Sequence, residues 1–304
     1  MDALMDTNIM RVMEREYASF TPSFKKVADY LRDSWEEAQF LSISELAEAC
    51  GVGKATISRF CAALGCDGYG RLKLALARSL AGGADAPPVT AAVPSSPLGV
   101  AVGSSGELPS PPVAPASERA RELLAANVAV MSQTLQVMDF AAVERAAALM
   151  RDASSVYCLG HGGCQLIAAD AWSHFVTISP KFHNVCDSHL QIMTASLLDA
   201  SSVVLFVSFL GDTRDAADVL VPARRRGAKV VLVTHYASSP ASELADEVLL
   251  CGGRETPLEG GSIIAKTSML FAIDLLAGEY CRLVGAEAQA NRVASSEALA
   301  TRKV

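Results

Sequence analysis

The chain is poor in charge and in aromatic residues: Asp, Glu, Lys and Arg make up 19% of its 304 residues and Phe, Trp and Tyr 6%. With 51% hydrophobic residues beside so little charge, an intrinsically disordered chain is excluded. No apolar run reaches the roughly 20 residues of a membrane helix. No apolar stretch follows a basic start, so no secretory leader and no membrane partner are expected. None of the eight cysteines forms a CxxC pair; Cys50, Cys61, Cys66, Cys158, Cys164, Cys186, Cys251 and Cys281 are scattered among mostly apolar neighbours. That is the usage of reduced thiols in a cytoplasmic protein, not of a disulfide frame or zinc site. His161, His174, His183 and His235 show no metal-ligand spacing either, and neither metal nor cofactor is expected.

What is present begins with Ser42–Gly65, which reads as two short helices around a tight turn. Ser42 and Glu45 have the spacing of a capping box. Leu46, Ala47 and Cys50 recur at helical intervals, and Gly51 supplies a left-handed stop. A second helix follows Gly53, with Ile57, Phe60, Ala63 and Leu64 on one face and Gly65 closing it. Lys54, Thr56, Ser58 and Arg59 are left for the other surface, weighted to the helix start, where a recognition helix needs its donors. A plain helical hairpin has the same skeleton; the small Ala47, the Gly51-Val52 turn and the Arg/Thr/Ser face favour a helix-turn-helix. The net charge of −7 argues against nucleic acid only until it is located. From Lys54 to Arg78 five basic residues face Asp67 alone, and Arg71 and Lys73 are expected to steady the DNA backbone. Upstream, 8–41 reads as helical, with Thr21-Pro22 as a start and Phe24, Val27, Ala28 and Leu31 inward.

Residues 82–117 hold eight of the thirteen prolines, two charges and no aromatic residue. This stretch reads as a flexible linker between a DNA-binding domain over 1–81 and a second domain over 118–304. In the second domain two helical patterns, 118–138 and 140–152, precede short apolar runs at 156–160, 203–208, 229–234 and 247–251. Helical stretches are expected near 163–178, 188–198, 213–226, 239–246 and 263–283. Apolar strands between crossover helices predict a doubly wound parallel α/β sheet.

In such a sheet ligands sit at the carboxyl ends of strands, where loops lead into helix N-termini. Gly160-His161-Gly162-Gly163-Cys164 and Ser208-Phe209-Leu210-Gly211-Asp212-Thr213 both occupy that position. Their glycines let backbone approach a ligand, and their N–H groups suit an anion. Candidate effector contacts are therefore Gly160, Gly162, Gly163, Cys164, Ser208, Gly211, Asp212 and Thr213. Lys266 could neutralise an anion, or belong to a solvated loop with Glu255, Glu259 and Ser262. Asp187, Ser188 and His189 could enter the pocket, or Asp187 could simply cap the next helix.

The run ELAEACGVGKATISRFCAALGCDGYGRLKLAL resembles the helix-turn-helix domain of RpiR-type bacterial regulators. LGHGGC, CDSHLQIMTASLL, VSFLGDT, RRRGAKVVLVT and SPASELADEVLL resemble the sugar isomerase (SIS) domain that these regulators carry. The resemblance implies a homodimeric or homotetrameric regulator of carbohydrate metabolism that binds an operator and senses a sugar phosphate or relative. It implies no catalytic residues. A competing reading is an aldose–ketose isomerase with His189, Glu255 or Glu259 as base. Family SIS domains that bind phosphosugars carry serines where this chain has Cys164 and Leu210, which makes its pocket more apolar.

Overall fold

The structure, a computed structural model, describes residues 8–81, 115–253 and 262–300. It divides into two compact units: Met1–Ala126 with Arg254–Ser262, and Asn127–Gly253 with Ile263–Val304. The expected linker 82–117 lies outside the described residues except for Pro115, Ala116 and Ser117, and the last two of these are already helical.

The first unit is helical: α1 (Ile9–Glu16), α2 (Pro22–Asp33), the single turn α3 (Trp35–Ala38), α4 (Ile43–Ala49), α5 (Lys54–Ala63) and α6 (Tyr69–Ala81). Thr21 caps α2 through the Phe24 N–H, and Ser42 and Glu45 form the complete capping box at α4. Gly51 takes φ +61° and the Val52 N–H donates to the Ala47 carbonyl, closing α4 with a left-handed stop. The same device ends α5, with Gly65 at φ +76° and the Cys66 N–H on the Cys61 carbonyl. The core joins Val27 and Leu31 to Leu46, Ile57, Phe60, Leu72 and Leu76, all fully buried. Phe60 meets Phe20 and Phe24 edge-on at 5.4 and 5.5 Å, which fastens α2 to α5. Cys61 takes the inward place expected of Ala63, which is exposed. Its larger side chain fills that side of the core, and burial pushes its thiol up to about 12.

After α7 (Ala116–Val137) and α8 (Phe140–Asp152), the second unit winds through β1 (Ser155–Gly160), α9 (Gly163–Phe175), β2 (Phe182–Asn184) and α10 (Ser188–Leu197). β3 (Ser202–Val207), α11 (Arg214–Arg225), β4 (Lys229–Thr234), β5 (Glu247–Leu250) and α12 (Ile263–Ala300) complete it. All strand pairs are parallel, in the order β2-β1-β3-β4-β5. Side chains alternate between the sheet faces. Val203, Leu205 and Val207 join the core under α8, α9 and α12. Val204 and Phe206 join the core under α10 and α11. The expected helix at 239–246 is only a 3-10 turn, Ser242–Leu244, because Ser239 and Ser242 bind each other's backbone and close the chain locally. α12 runs past the expected end at 283, bending at Gly285, where φ is +41°. No helix among the described residues is long and apolar enough to cross a membrane.

Candidate functional site

On the helical unit, Lys54, Ser58 and Arg59 are exposed along the start of α5 and Thr56 is partly exposed. Gly53 caps α5 with extended backbone and no side-chain bond, so the first-turn N–H groups have no capping oxygen from it. Ser58 donates to the Lys54 carbonyl and Arg59 Nε to the Ala55 carbonyl, which lays both side chains back along the helix. Arg71 is exposed on α6. Lys73 does not join this surface. It is 7% exposed, with its ammonium 5.8 Å from the Tyr69 ring centroid, while the Tyr69 hydroxyl donates to the Leu41 carbonyl. The helical phase of α6 turns Lys73 inward beside Leu72 and Leu76.

In the α/β unit the chain leaves β1 for the edge strand β2 and returns to β3 on the other side of β1. Sheets of this kind bind ligands in the crevice outside such a reversal, which here means the carboxyl ends of β1 and β3. Gly160 pairs with Val207, so the two glycine loops start side by side. A Cβ on Gly160 would lie 2.9 Å from the Val207 carbonyl oxygen and 3.0 Å from that of Cys164, so only glycine fits this approach. Gly162, at φ +55° and ψ −127°, turns the chain into α9. The Cys164 N–H then closes on the His161 carbonyl and the Gln165 N–H on that of Gly162. Lys266 Cε comes within 3.8 Å of where a Gly163 Cβ would stand, bringing the ammonium stem to the start of α9. His161 lies 5.8 Å from the Phe206 ring, and burial lowers its pKa against the pull of Asp215 and Asp218. The imidazole is therefore neutral near pH 7.

The second loop spends part of its polar capacity on its own shape. Ser208, 6% exposed, accepts the Gly211 N–H, and Thr213 caps α11 through the Ala216 N–H. Gly211 adopts φ +66°. The Thr213 hydroxyl hydrogen can still be offered to an anion, and Asp212 is exposed at the rim. The Phe209 ring lies tilted against that of His235 with centroids 4.2 Å apart, and its carbonyl accepts the His235 backbone N–H. His235 is itself held between the Gly253 carbonyl and Ser268, and burial lowers its pKa to about 4. Aromatic contacts and hydroxyl turns thus fix this loop.

Asp187 accepts the Leu190 N–H and caps α10, and His189 is exposed. Glu255 and Glu259 lie outside the described residues, while Ser262 is buried. His174 sits at the surface, its Nδ1 3.5 Å from an Asp274 carboxylate oxygen. No cluster of three metal-ligating residues occurs among the described residues. Sequence reasoning missed Gln191, which is fully buried and donates to the Gly160 carbonyl. The fourth residue of an amphipathic helix carries no signal of such a bond.

Comparison with known proteins agrees with this geometry. The model of the helix-turn-helix domain of the rpiR family matches residues 7–83, and that of the SIS domain matches 149–278. An HTH-type transcriptional regulator of Haemophilus influenzae is 29% identical, covering 92% of this chain and 91% of its own. The regulator HexR of Pseudomonas aeruginosa is 27% identical over 88% of this chain and 86% of its own. Among solved structures, NanR of Vibrio vulnificus, complexed with ManNAc-6P, superposes with a TM-score of 0.82 at 21% identity, covering 98% and 100% of the two chains. The sugar isomerase domain of an RpiR transcription factor from Sphaerobacter thermophilus gives 0.54 at 20% identity, over 59% of this chain and 98% of that one. The chain is thus a DNA-binding transcriptional regulator of the RpiR type, an rpiR-family helix-turn-helix domain joined to a SIS domain.

Proposed function

We propose that this regulator controls genes of carbohydrate metabolism, and that a small anionic metabolite in the β1/β3 crevice sets its affinity for an operator. The observation that carries the reading is the pair of glycine loops at the ends of β1 and β3. Two glycine loops start in register, each opens a helix, and Lys266 stands beside the first. Helix N-termini and one ammonium suit a phosphate or carboxylate. A sugar phosphate is the class favoured, in line with the ManNAc-6P held by NanR. Gly160, Gly162, Gly163, Cys164, Gly211, Asp212, Thr213 and Lys266 contact the ligand, with Ser208 shaping the second loop.

On DNA, α5 enters the major groove, Arg59 and Lys54 reaching bases or phosphates and Thr56 and Ser58 making shorter contacts, while Arg71 steadies the backbone. Self-association pairs two such helices. It is supported by exposed apolar side chains on the α/β unit, Leu166, Leu190, Met193 and Leu197 at 68, 51, 53 and 78%. The effector acts only if it favours one arrangement of the assembly over another.

The test is DNA binding by the full chain, read by anisotropy on the segment upstream of its own gene, with and without a panel of sugar phosphates. At least one compound is expected to shift the DNA Kd and raise the melting temperature together. A panel that moves neither refutes the effector assignment, and turnover of any member would establish the isomerase instead.

A further inference from the structure

Two buried side-chain atoms that find no hydrogen-bond partner among the described residues, His161 Nδ1 and Gln191 Oε1, belong to residues on either side of one peptide group, that of Gly160. Gln191 projects from α10 and is fully buried. Its amide nitrogen lies 2.9 Å from the Gly160 carbonyl oxygen, 2.8 Å from that of Val185 and 2.8 Å from Gln165 Oε1, so its two N–H groups are shared among three acceptors. The two backbone carbonyls fix the amide, because the flipped rotamer would set its oxygen against both of them. Gln165 in turn donates to Asn184 Oδ1 at 3.2 Å, and Asn184 Nδ2 to the Cys158 carbonyl at 2.7 Å. A relay of amides therefore ties the end of β1, the exit of β2 and the first turn of α9. A methionine of the same length would fill the volume and remove the unpartnered Gln191 oxygen, but it would take the donor away from all three oxygens.

We propose that Gln191 is a positioning residue. By holding the Gly160 carbonyl it aims the Gly160–Cys164 turn so that the turn's N–H groups face the crevice, without touching the ligand. The ligand half of this statement rests on the effector reading of that turn. Gly160 cannot carry a side chain of its own, and the Gln191 amide meets its carbonyl where β1 ends and the turn begins.

The experiment compares the full chain with Gln191→Met and Gln191→Glu. Hydrogen exchange is read at the Cys164 and Gln165 amides, which close the turn on His161 and Gly162. At about pH 8 both variants are expected to lose about tenfold in protection there, the scale of one hydrogen bond, with β4 amides unchanged. A carboxyl buried against three oxygens is driven to protonate, and as an acid it donates one bond. Near pH 5.5, Gln191→Glu therefore regains protection and Gln191→Met does not. Binding of inorganic phosphate, measured by calorimetry, is expected to follow the same pattern. Should Gln191→Met fail to fold, the two pH values on Gln191→Glu still decide the question. Unchanged protection in the turn, or equal loss across the sheet, would overturn the proposal. A parent chain that binds no phosphate would remove the effector reading, while the exchange data would still judge Gln191.

Discussion

Replacing Gly211 with alanine separates two costs that a glycine loop usually confounds. Gly211 and Gly227 both have positive φ, +66° and +86°, and both lie in the α/β unit. A Cβ on Gly227 would make ordinary contact, 3.4 Å from the Ala200 Cβ. A Cβ on Gly211 would press into the hydroxyl of Ser239 and stand 2.9 Å from its Cβ. Ser239 cannot swing away, because it is fully buried and its Oγ accepts the Ser242 N–H. Gly227→Ala should thus cost the backbone strain alone, about 1 kcal/mol. Gly211→Ala should add an overpacking cost, reaching about 2–4 kcal/mol in all. For a unit of this size these correspond to about 3 °C and about 6–12 °C in melting temperature. Calorimetry of the full chain, following the transition that Trp172 fluorescence reports in a Trp35→Phe background, measures both. Pairing Gly211→Ala with Ser239→Gly should recover at least about 1 kcal/mol relative to the sum of the singles. The reasoning fails if the two alanines cost the same, or if the double variant is additive.

Ser42→Ala should destabilise the helical unit by about 1 kcal/mol in chemical denaturation, since it removes the oxygen that caps Glu45. Gly53→Ser, at a residue already extended at φ −81° and with nothing near its Cβ, should stabilise α5 by a few tenths of a kcal/mol. Burial holds the His235 imidazole at about 4, against the ordinary 6.5, with the Gly253 and Ala265 carbonyls pulling the other way. Its folded value lies below its unfolded one, so its contribution is complete above pH 6.5 and is lost as pH falls towards 4. The loss is about 3 kcal/mol. Urea titrations across that window should show the fall, and His235→Gln should flatten it. On DNA, Arg59→Ala with Thr56→Ala should abolish preference for the operator, and Arg71→Ala should weaken binding evenly and shallow the salt dependence by about one ion. Lys73→Ala should leave the salt dependence unchanged and lower the melting temperature instead.

Much of this architecture was legible because its signals are local. The Ser42–Glu45 box, the Gly51 stop and the Thr21-Pro22 start each depend on neighbours within one helical turn, and each formed as the spacing required. The apolar strands were equally plain, since a parallel sheet covered on both faces leaves no polar alternation to mislead. Lys73 failed for a physical reason. A basic residue in a basic stretch looks solvent-facing, but the phase of α6 was fixed by Leu72, Leu76 and Tyr69, and the long lysine stem packed with them. The 239–246 stretch failed because hydroxyl-to-backbone bonds offered a competing closure that helical periodicity does not count.

What lay beyond local reading is the part that links strand ends to one another. The Thr134 hydroxyl accepts the Gly252 N–H across 118 residues, and a Cβ on Gly252 would meet the Thr134 backbone nitrogen at 2.6 Å. The helix α7 thus packs closely on the exit of β5, and the chain beyond β5 leads to α12 and Lys266. Gln191 makes the same kind of connection between the ends of β1 and β2. A composition scan sees one threonine, one glutamine and one glycine at these places. Their weight comes from the absence of room around them, a property of packing that exists only once the sheet has closed.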